Sequence, residues 1–323
     1  MMDLLGRAGY ETRGVGKMHF TPDRHALRGF EARETQEELT RRVEDDDYLR
    51  FVHANGFEHV HDVMGARGEM YYVPQVSQLP ARLHSSAWVA ERSIAFLQNR
   101  DRSRPFFLWS SFIHPHPPFS PPTPWNKLYR GPLMPLPKRP DHMEDLWTYH
   151  NRHQNRYKYR DAGVDDHLLR VMRAYYWACV SFIDSNVGLI LSALEEMGEL
   201  DNTLVVWTSD HGELLGDYNC FGKRSFLDAA ARVPLLVRYP ERFPAEVVEE
   251  TPASLVDLIP TFLGAAGADA GEAETDGMDL AGLAGQGMQR TIYGQFQCGS
   301  RGMYMAYNGA LKYIYSAADR KEF

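Results

Sequence analysis

Cysteine is scarce in this chain: Cys179, Cys220 and Cys298 are the three it has among 323 residues, far apart and odd in number. That excludes a disulfide framework and a paired-cysteine zinc site, and leaves buried free thiols as the expectation. Long apolar runs are missing too, so no membrane-spanning segment and no membrane partner are expected. No long basic run occurs and the formal charge is −8, which removes the counterion-release footprint of a nucleic-acid binder. The acidity does not exclude an anionic substrate, because a few cations in a cleft override the net field. The opening Met1-Met2-Asp3-Leu4-Leu5 lacks a basic n-region, an apolar h-region and a small-residue cleavage site, so no export signal is read.

What is present alternates short apolar runs with amphipathic stretches, the pattern of an α/β fold with a largely parallel sheet flanked by helices. Asp3 to Ala8 reads as the end of a helix stopped at Gly9, and Tyr10 to Val15 as a strand. Residues 21 to 80 read as an irregular insertion with one or two short helices. Ser85 to Gln98 is a helix, and Phe106 to Ile113 a buried strand bounded by proline. Pro115 to Pro140 is dense in proline and therefore loop or polyproline-like. His142 to Asp166 shows no clean periodicity. A long helix is expected from His167 to Met197, with Leu168, Val171, Tyr175, Phe182, Ile190, Leu194 and Met197 on one apolar face.

Thr203 to Thr208 is apolar at consecutive positions, as a parallel strand buried on both faces would be. Pro234 to Val237 is another strand, Ser254 to Ala266 a helix, and Gly264 to Gly285 a small-residue linker. From Thr291 onward the runs are aromatic and β-rich, with a hairpin signal at Asn308-Gly309. The expected division is a main α/β domain over 1–286 and a partial antiparallel β subdomain over 287–323.

Three of these strands end in polar clusters: Gly16-Lys17-Met18-His19, His114-Pro115-His116, and Ser209-Asp210-His211-Gly212-Glu213. Ligands of open α/β sheets bind beyond the carboxyl ends of the strands, so the clusters are candidate site residues. Lys17 and His19 are two apart on an extended segment and suited to grip an anion, against a solvent-facing Lys-x-His. His116 is fenced by prolines, which suits a general acid, against a structural histidine in a rigid loop. Asp210-His211 offers a carboxylate and an imidazole to a divalent cation, against a helix cap. Lys223 follows Gly222 in a loop where backbone can approach a ligand, against a surface lysine. Arg232 is read as one half of a buried ion pair. The carboxylates Asp45 to Asp47 and the pair Asp165-Asp166 follow no apolar strand and are read as a solvated face or helix start.

Taken in order, Arg7 to Thr12, Gly16 to His19, Pro115 to Phe119, Leu200 to Glu213, Gly222 to Phe226, Ala231 to Leu235, Asp257 to Thr261 and Asp276 to Leu280 resemble the motifs of the sulfatase family. That family includes formylglycine-dependent sulfatases and phosphonate monoester hydrolases of the alkaline-phosphatase superfamily. The resemblance implies an alkaline-phosphatase-like fold and metal-dependent hydrolysis of a sulfate ester, small-molecule or carbohydrate. By the same resemblance Lys17, His19, His116 and Lys223 contact the sulfate oxygens and His116 assists the leaving group. Asp210 and His211 ligate a divalent metal, Ca²⁺ first, with Mg²⁺ or Mn²⁺ in relatives. The family carries Asn at the position of His211 in many arylsulfatases.

The family pattern also begins with a strand ending in paired aspartates, then Cys- or Ser-X-Pro/Ala-X-Arg, whose first residue is the nucleophile after oxidation. No such segment is found here. Cys220 with Arg224, and Ser316 with Arg320, have the right separation and are read as chance. The expectation is a fragment of a sulfatase truncated at both ends, with no nucleophile in this chain and with bacterial cytoplasm and periplasm both open. The alternatives are a phosphonate or phosphate ester hydrolase on the same scaffold, and a non-catalytic anion-binding derivative. Oligomeric state is not legible.

Overall fold

A computed structural model describes residues 1–40, 42–68, 71–159, 165–268, 275–285 and 287–323. The elements in chain order are α1 (Met2–Arg7), β1 (Glu11–Gly16), β2 (Ala32–Thr35), α2 (Asp47–Ala54), α3 (Ser85–Asn99) and β3 (Phe106–Ser111). There follow α4 (Tyr149–Tyr159), α5 (Asp166–Glu196), β4 (Val205–Thr208), α6 (Asp228–Ala231), β5 (Leu235–Arg238) and α7 (Leu258–Ala266). The chain ends in β6 (Ile292–Phe296), β7 (Met303–Tyr307), β8 (Lys312–Ser316) and β9 (Lys321–Glu322). These form two compact units, Met1–Pro135 with Asp166–Leu200, and Leu136–Asp165 with Asp201–Phe323.

In the first unit β1 lies between β2 and β3, all parallel, with Gly16 opposite both Thr35 and Ser111. The register brings the carboxyl ends of three strands to one level. Gly16 has φ +94°, and a Cβ there would lie 2.0 Å from the Ser111 carbonyl oxygen, so only glycine lets β1 leave the sheet this close to β3. Val15, Trp88 and Val89 pack with Tyr48, Val52 and Leu83 on one side of the sheet. The Tyr48 hydroxyl donates to the Leu83 carbonyl, as a buried phenol must find an acceptor. Further along α3, Ala90, Phe96 and Leu97 meet Ile190 and Leu194 of α5. By length and composition α5 alone among the described residues could cross a membrane, and its buried stripe packs in part against α3.

Residues 21 to 80 are thus not wholly irregular, because β2 extends the sheet. Its Ala-Arg-Glu-Thr sequence carries no β-rich apolar pattern, and pairing with β1 overrides weak propensity. In α5 the buried face holds Phe182, Ile190 and Leu194 as expected. Over the first turns it holds Leu169 and Met172 rather than Leu168 and Val171, a rotation of about one residue. β3 is half-buried rather than buried, and Trp109 is 39% exposed.

In the second unit β4 pairs with β5 antiparallel, Val206 opposite Val237, which corrects the parallel expectation for residues 203–208. Its residues are half-buried, and Val206 packs with Leu235 and Val237 of β5 against Leu258, Leu280 and Leu283. Periodicity reports burial, not strand direction. Asp257 is fully buried and accepts from both Arg290 guanidinium nitrogens at 2.7 Å, from Ser254 N at 2.7 Å and from Met278 N at 2.8 Å. The stretch after α7 is therefore anchored at Met278, not simply a linker. β6 to β9 form an antiparallel meander, and Asn308 Oδ1 accepts from Ala310 N and Leu311 N in the β7–β8 turn.

Among the cysteines, Cys179 and Cys220 are buried free thiols as expected, whereas Cys298 is exposed. Burial pushes the Cys220 thiol up to about 12, which keeps it an inert neutral group. Asp46 is buried as the N-cap of α2, accepting from Leu49 N, and Asp166 opens α5. Arg232, expected in a buried ion pair, is exposed instead.

Candidate active site

The carboxyl ends of β1, β2 and β3 each deliver charged side chains. After β1, Lys17 Nζ lies 2.6 Å from Glu38 Oε1 and His19 Nε2 lies 3.5 Å from the same oxygen. After β3, His116 Nε2 lies 3.4 Å from it. From the loop after α2, Arg67 reaches the other oxygen, Oε2, at 3.3 Å. One carboxylate oxygen thus marks a point on which three cationic or protonatable groups converge, with a guanidinium beside it. Tyr71 backs the cluster: the Arg67 guanidinium sits over its ring and His116 meets the ring edge-on.

Burial of so many charges stands only because they compensate one another. Desolvation would raise the Glu38 carboxyl, but hydrogen bonding to His19 and the charges of His116 and Lys17 hold it well below the usual range. His116 is fixed from behind, its Nδ1 2.8 Å from the Pro117 carbonyl, so Nε2 is the nitrogen presented forward. Beneath it lies a dry histidine pair. His114 Nδ1 meets Ser85 Oγ at 3.2 Å and Nε2 meets Ser120 Oγ at 3.1 Å, while His84 Nε2 meets the Ser120 carbonyl at 3.2 Å. Burial pushes His84 down to about 4 and His114 well below its ordinary value, so both are neutral props.

The second unit gathers Asp210, His211 and Lys223. His211 Nδ1 is 2.8 Å from the Gly212 carbonyl, and Nε2 faces Lys223 Nζ at 2.7 Å and Asp210 Oδ2 at 3.4 Å. Asp210 is 71% exposed on its side chain. The turn is pinned by Gly212, whose N donates to the Ala230 carbonyl and whose Cβ would collide with the Ala229 carbonyl at 2.1 Å. Glu213 accepts from Gly222 N and Leu215 N, tying this turn to the loop of Lys223. That loop is braced by α4: Gln154 Oε1 accepts from Arg224 N, and Asn155 bonds Asn219 O and Phe221 N.

Sequence reasoning put Lys17, His19, His116, Asp210, His211 and Lys223 in one crevice; the structure gathers Lys17, His19 and His116 in the first unit and Asp210, His211 and Lys223 in the second. Sequence reasoning missed Glu37, Glu38, Arg67 and Tyr71. The two glutamates follow β2, so the strand-end rule would have found them had that strand been recognised. Asp210 and His211 offer a carboxylate and a forward-facing imidazole nitrogen, a fitting part of a divalent-cation site. They are fewer donors than such a cation takes, and no group of three or more metal-type side chains occurs among the described residues.

Residues 1–268 match the Sulfatase family profile. The arylsulfatase of Clostridium perfringens is 31% identical over 278 residues, 80% of this chain and 56% of that protein. The multifunctional alkaline phosphatase superfamily protein PehA of Trinickia caryophylli is 31% identical over 68% of this chain and 46% of its own length. The choline-sulfatase of Rhizobium meliloti is 29% identical over 98% of this chain and 63% of its own length. The chain thus spans about half the length of the first of these relatives. Among solved structures, the phosphonate monoester hydrolase of Silicibacter pomeroyi superposes with a TM-score of 0.78 over 99% of this chain and 72% of that one, at 23% identity. That likeness bears on the fold, which is alkaline-phosphatase-like. With its profile matched over most of its length, this chain belongs to the sulfatase family, whose members generally use a divalent metal ion.

Proposed function

We propose that this chain supplies the oxyanion-binding and metal-holding residues of a hydrolase that cleaves a sulfate ester. The observation that carries the reading is the convergence of Lys17, His19 and His116 on Glu38 Oε1, with Arg67 on Oε2. A carboxylate oxygen held this way stands in for a nonbridging oxygen of a tetrahedral ester. Preorganised cations aimed at such oxygens stabilise the charge that redistributes in the transition state. Lys17, His19 and Arg67 neutralise the nonbridging oxygens. An imidazolium at His116 donates Nδ1–H to Pro117 and presents Nε2–H as the proton for a departing alkoxide.

Asp210 and His211 would hold the divalent cation, Ca²⁺ before Mg²⁺ or Mn²⁺, and that ion supplies Lewis-acid polarisation when bound. Lys223 keeps its assignment as an oxyanion contact. The nucleophile is assigned to no residue of this chain. The N-acetylglucosamine-6-O-sulfatase of Bacteroides thetaiotaomicron, 24% identical over 82% of this chain, puts a carbohydrate sulfate within the range of substrates alongside a small-molecule one.

The test is hydrolysis of p-nitrophenyl sulfate against p-nitrophenyl phenylphosphonate by the intact gene product. The sulfate ester is expected to be the faster substrate, and His116→Ala to cut kcat by about 10²–10⁴. Faster phosphonate turnover would overturn the reading in favour of a phosphoester hydrolase. Saturable sulfate binding with no turnover of either ester would mark an anion-binding derivative.

A further inference from the structure

Oxyanion binding by His19 depends on where its ring points, and its own segment does little to fix that. The side chain is 59% exposed and the residue sits at φ +49°, a left-handed conformation that a non-glycine residue holds only when its surroundings over-determine it. Two carboxylates surround it, Glu38 at 3.5 Å from Nε2 and, more closely, Glu37. Glu37 Oε1 accepts from His19 N at 3.0 Å and from Met18 N at 3.3 Å, while Oε2 takes His19 Nδ1 at 2.6 Å. Glu37 is anchored in turn: its own N donates at 2.7 Å to Asp46 Oδ2, the buried cap of α2.

We propose that Glu37 is a positioning residue of the oxyanion site, a carboxylate clamp that fixes the backbone of Met18-His19 and takes Nδ1 of His19 so that Nε2–H alone faces the substrate's oxyanion. The identity of the oxyanion rests on the sulfate-ester reading; the clamp does not.

The electrostatics point the same way. Hydrogen bonding to Glu37 first, then to Glu38, raises the His19 imidazole to about 9, against burial and the charge of Lys17. These three act on His19 directly; Arg67 and His116 also meet Glu38, and the Arg33 guanidinium acts on Glu37. A ring protonated across the neutral range donates from both nitrogens, Nδ1–H to Glu37 and Nε2–H into the site. This is the arrangement by which an outer carboxylate sets the orientation and charge of an imidazole that works on a ligand.

Nitrogen-15 ring NMR on the 323-residue chain tests the clamp directly. Wild-type His19 is expected to titrate near 9, with Nδ1 in a strong hydrogen bond. In Glu37→Gln the carboxamide oxygen can still accept the Nδ1 proton but carries no charge, so the midpoint should fall by about one to two pH units. Calorimetry with inorganic sulfate should then show binding at pH 8 weakened about two- to tenfold, according to the fall in midpoint, and binding at pH 6 nearly that of wild type. Glu38→Gln should lower the midpoint less than Glu37→Gln does. Circular dichroism checks that each variant folds.

Wild-type His19 titrating near 6.5 would overturn the proposal without any variant. So would a Glu37→Gln protein whose His19 midpoint and sulfate pH profile are unchanged. A shifted midpoint in a wild-type chain that binds no sulfate at any pH would support the clamp and sink the sulfate reading.

Discussion

The two clusters solve the problem of holding charge in opposite ways. In the first unit, Lys17, His19, Arg67 and His116 are set against Glu37 and Glu38, most of them half-buried, at the carboxyl ends of three parallel strands and in the loop after α2. In the second, Asp210 stands out in water beside His211 and Lys223, on a turn after an antiparallel pair. The first cluster has its counterions built in, so its geometry is the protein's own. The second leaves its carboxylate hydrated, so its geometry is held by the turn beneath it rather than by charge. Buried ionic groups must be matched within the fold, whereas an exposed carboxylate keeps its water at little cost.

The sharpest way to break this contrast is Glu38→Ala. Removing the shared counterion leaves several partly buried cations facing one another, and loss of one partner of a buried pair costs about 3–5 kcal/mol. The expected result is a fall of that size in urea-unfolding free energy. A change below about 1 kcal/mol would mean that the cluster is solvated after all.

Acid comes next. His84 is pushed down to about 4 by burial, so between pH 6.5 and 4 the unfolded chain binds a proton that the folded chain refuses. Stability therefore falls as pH drops through that window, by roughly 3 kcal/mol at its lower end, and His114 acts in the same direction. Hydrogen exchange along Ser85–Asn99, corrected for its intrinsic pH dependence, should show protection lost in that window. In a His84→Asn variant the loss should shrink.

The smallest effect is expected from Asp210→Ala. Asp210 is largely exposed and its contacts are with its neighbours Ser209 and His211, so its removal should cost no more than about 1 kcal/mol and the urea midpoint should move little. Calcium binding to the intact gene product, followed by calorimetry, should weaken strongly. A large loss of stability with calcium binding intact would reverse the assignment of the two clusters.

Most of this was legible where apolar runs met polar ends. β1, β3 and β4 announced themselves, and Lys17, His19, His116, Asp210 and His211 followed from the strand-end rule. β2 did not, because Ala32-Arg33-Glu34-Thr35 owes its state to pairing with β1, and Glu37 and Glu38 went unread with it. Nor did α4, whose sequence is polar almost throughout. Among its described side chains the buried ones are His150, Asn151, Gln154 and Asn155, a helical i, i+1, i+4, i+5 stripe written in amides and an imidazole. A search for period alone would have found it; a search for hydrophobic period could not. Asp257 and Arg290 were likewise beyond reach, because sequence shows neither partner to the other.

The amide stripe of α4 has a physical consequence of its own. Gln154 and Asn155 hold the loop of Lys223 through neutral hydrogen bonds, which neither titrate nor feel the ionic atmosphere. The brace should hold its shape from mild acid to mild alkali and from dilute buffer to brine. The Glu37–His19 contact, half open to solvent, should slacken over the same range. Salinity and pH will therefore act on the first cluster more than on the α4 brace of the second.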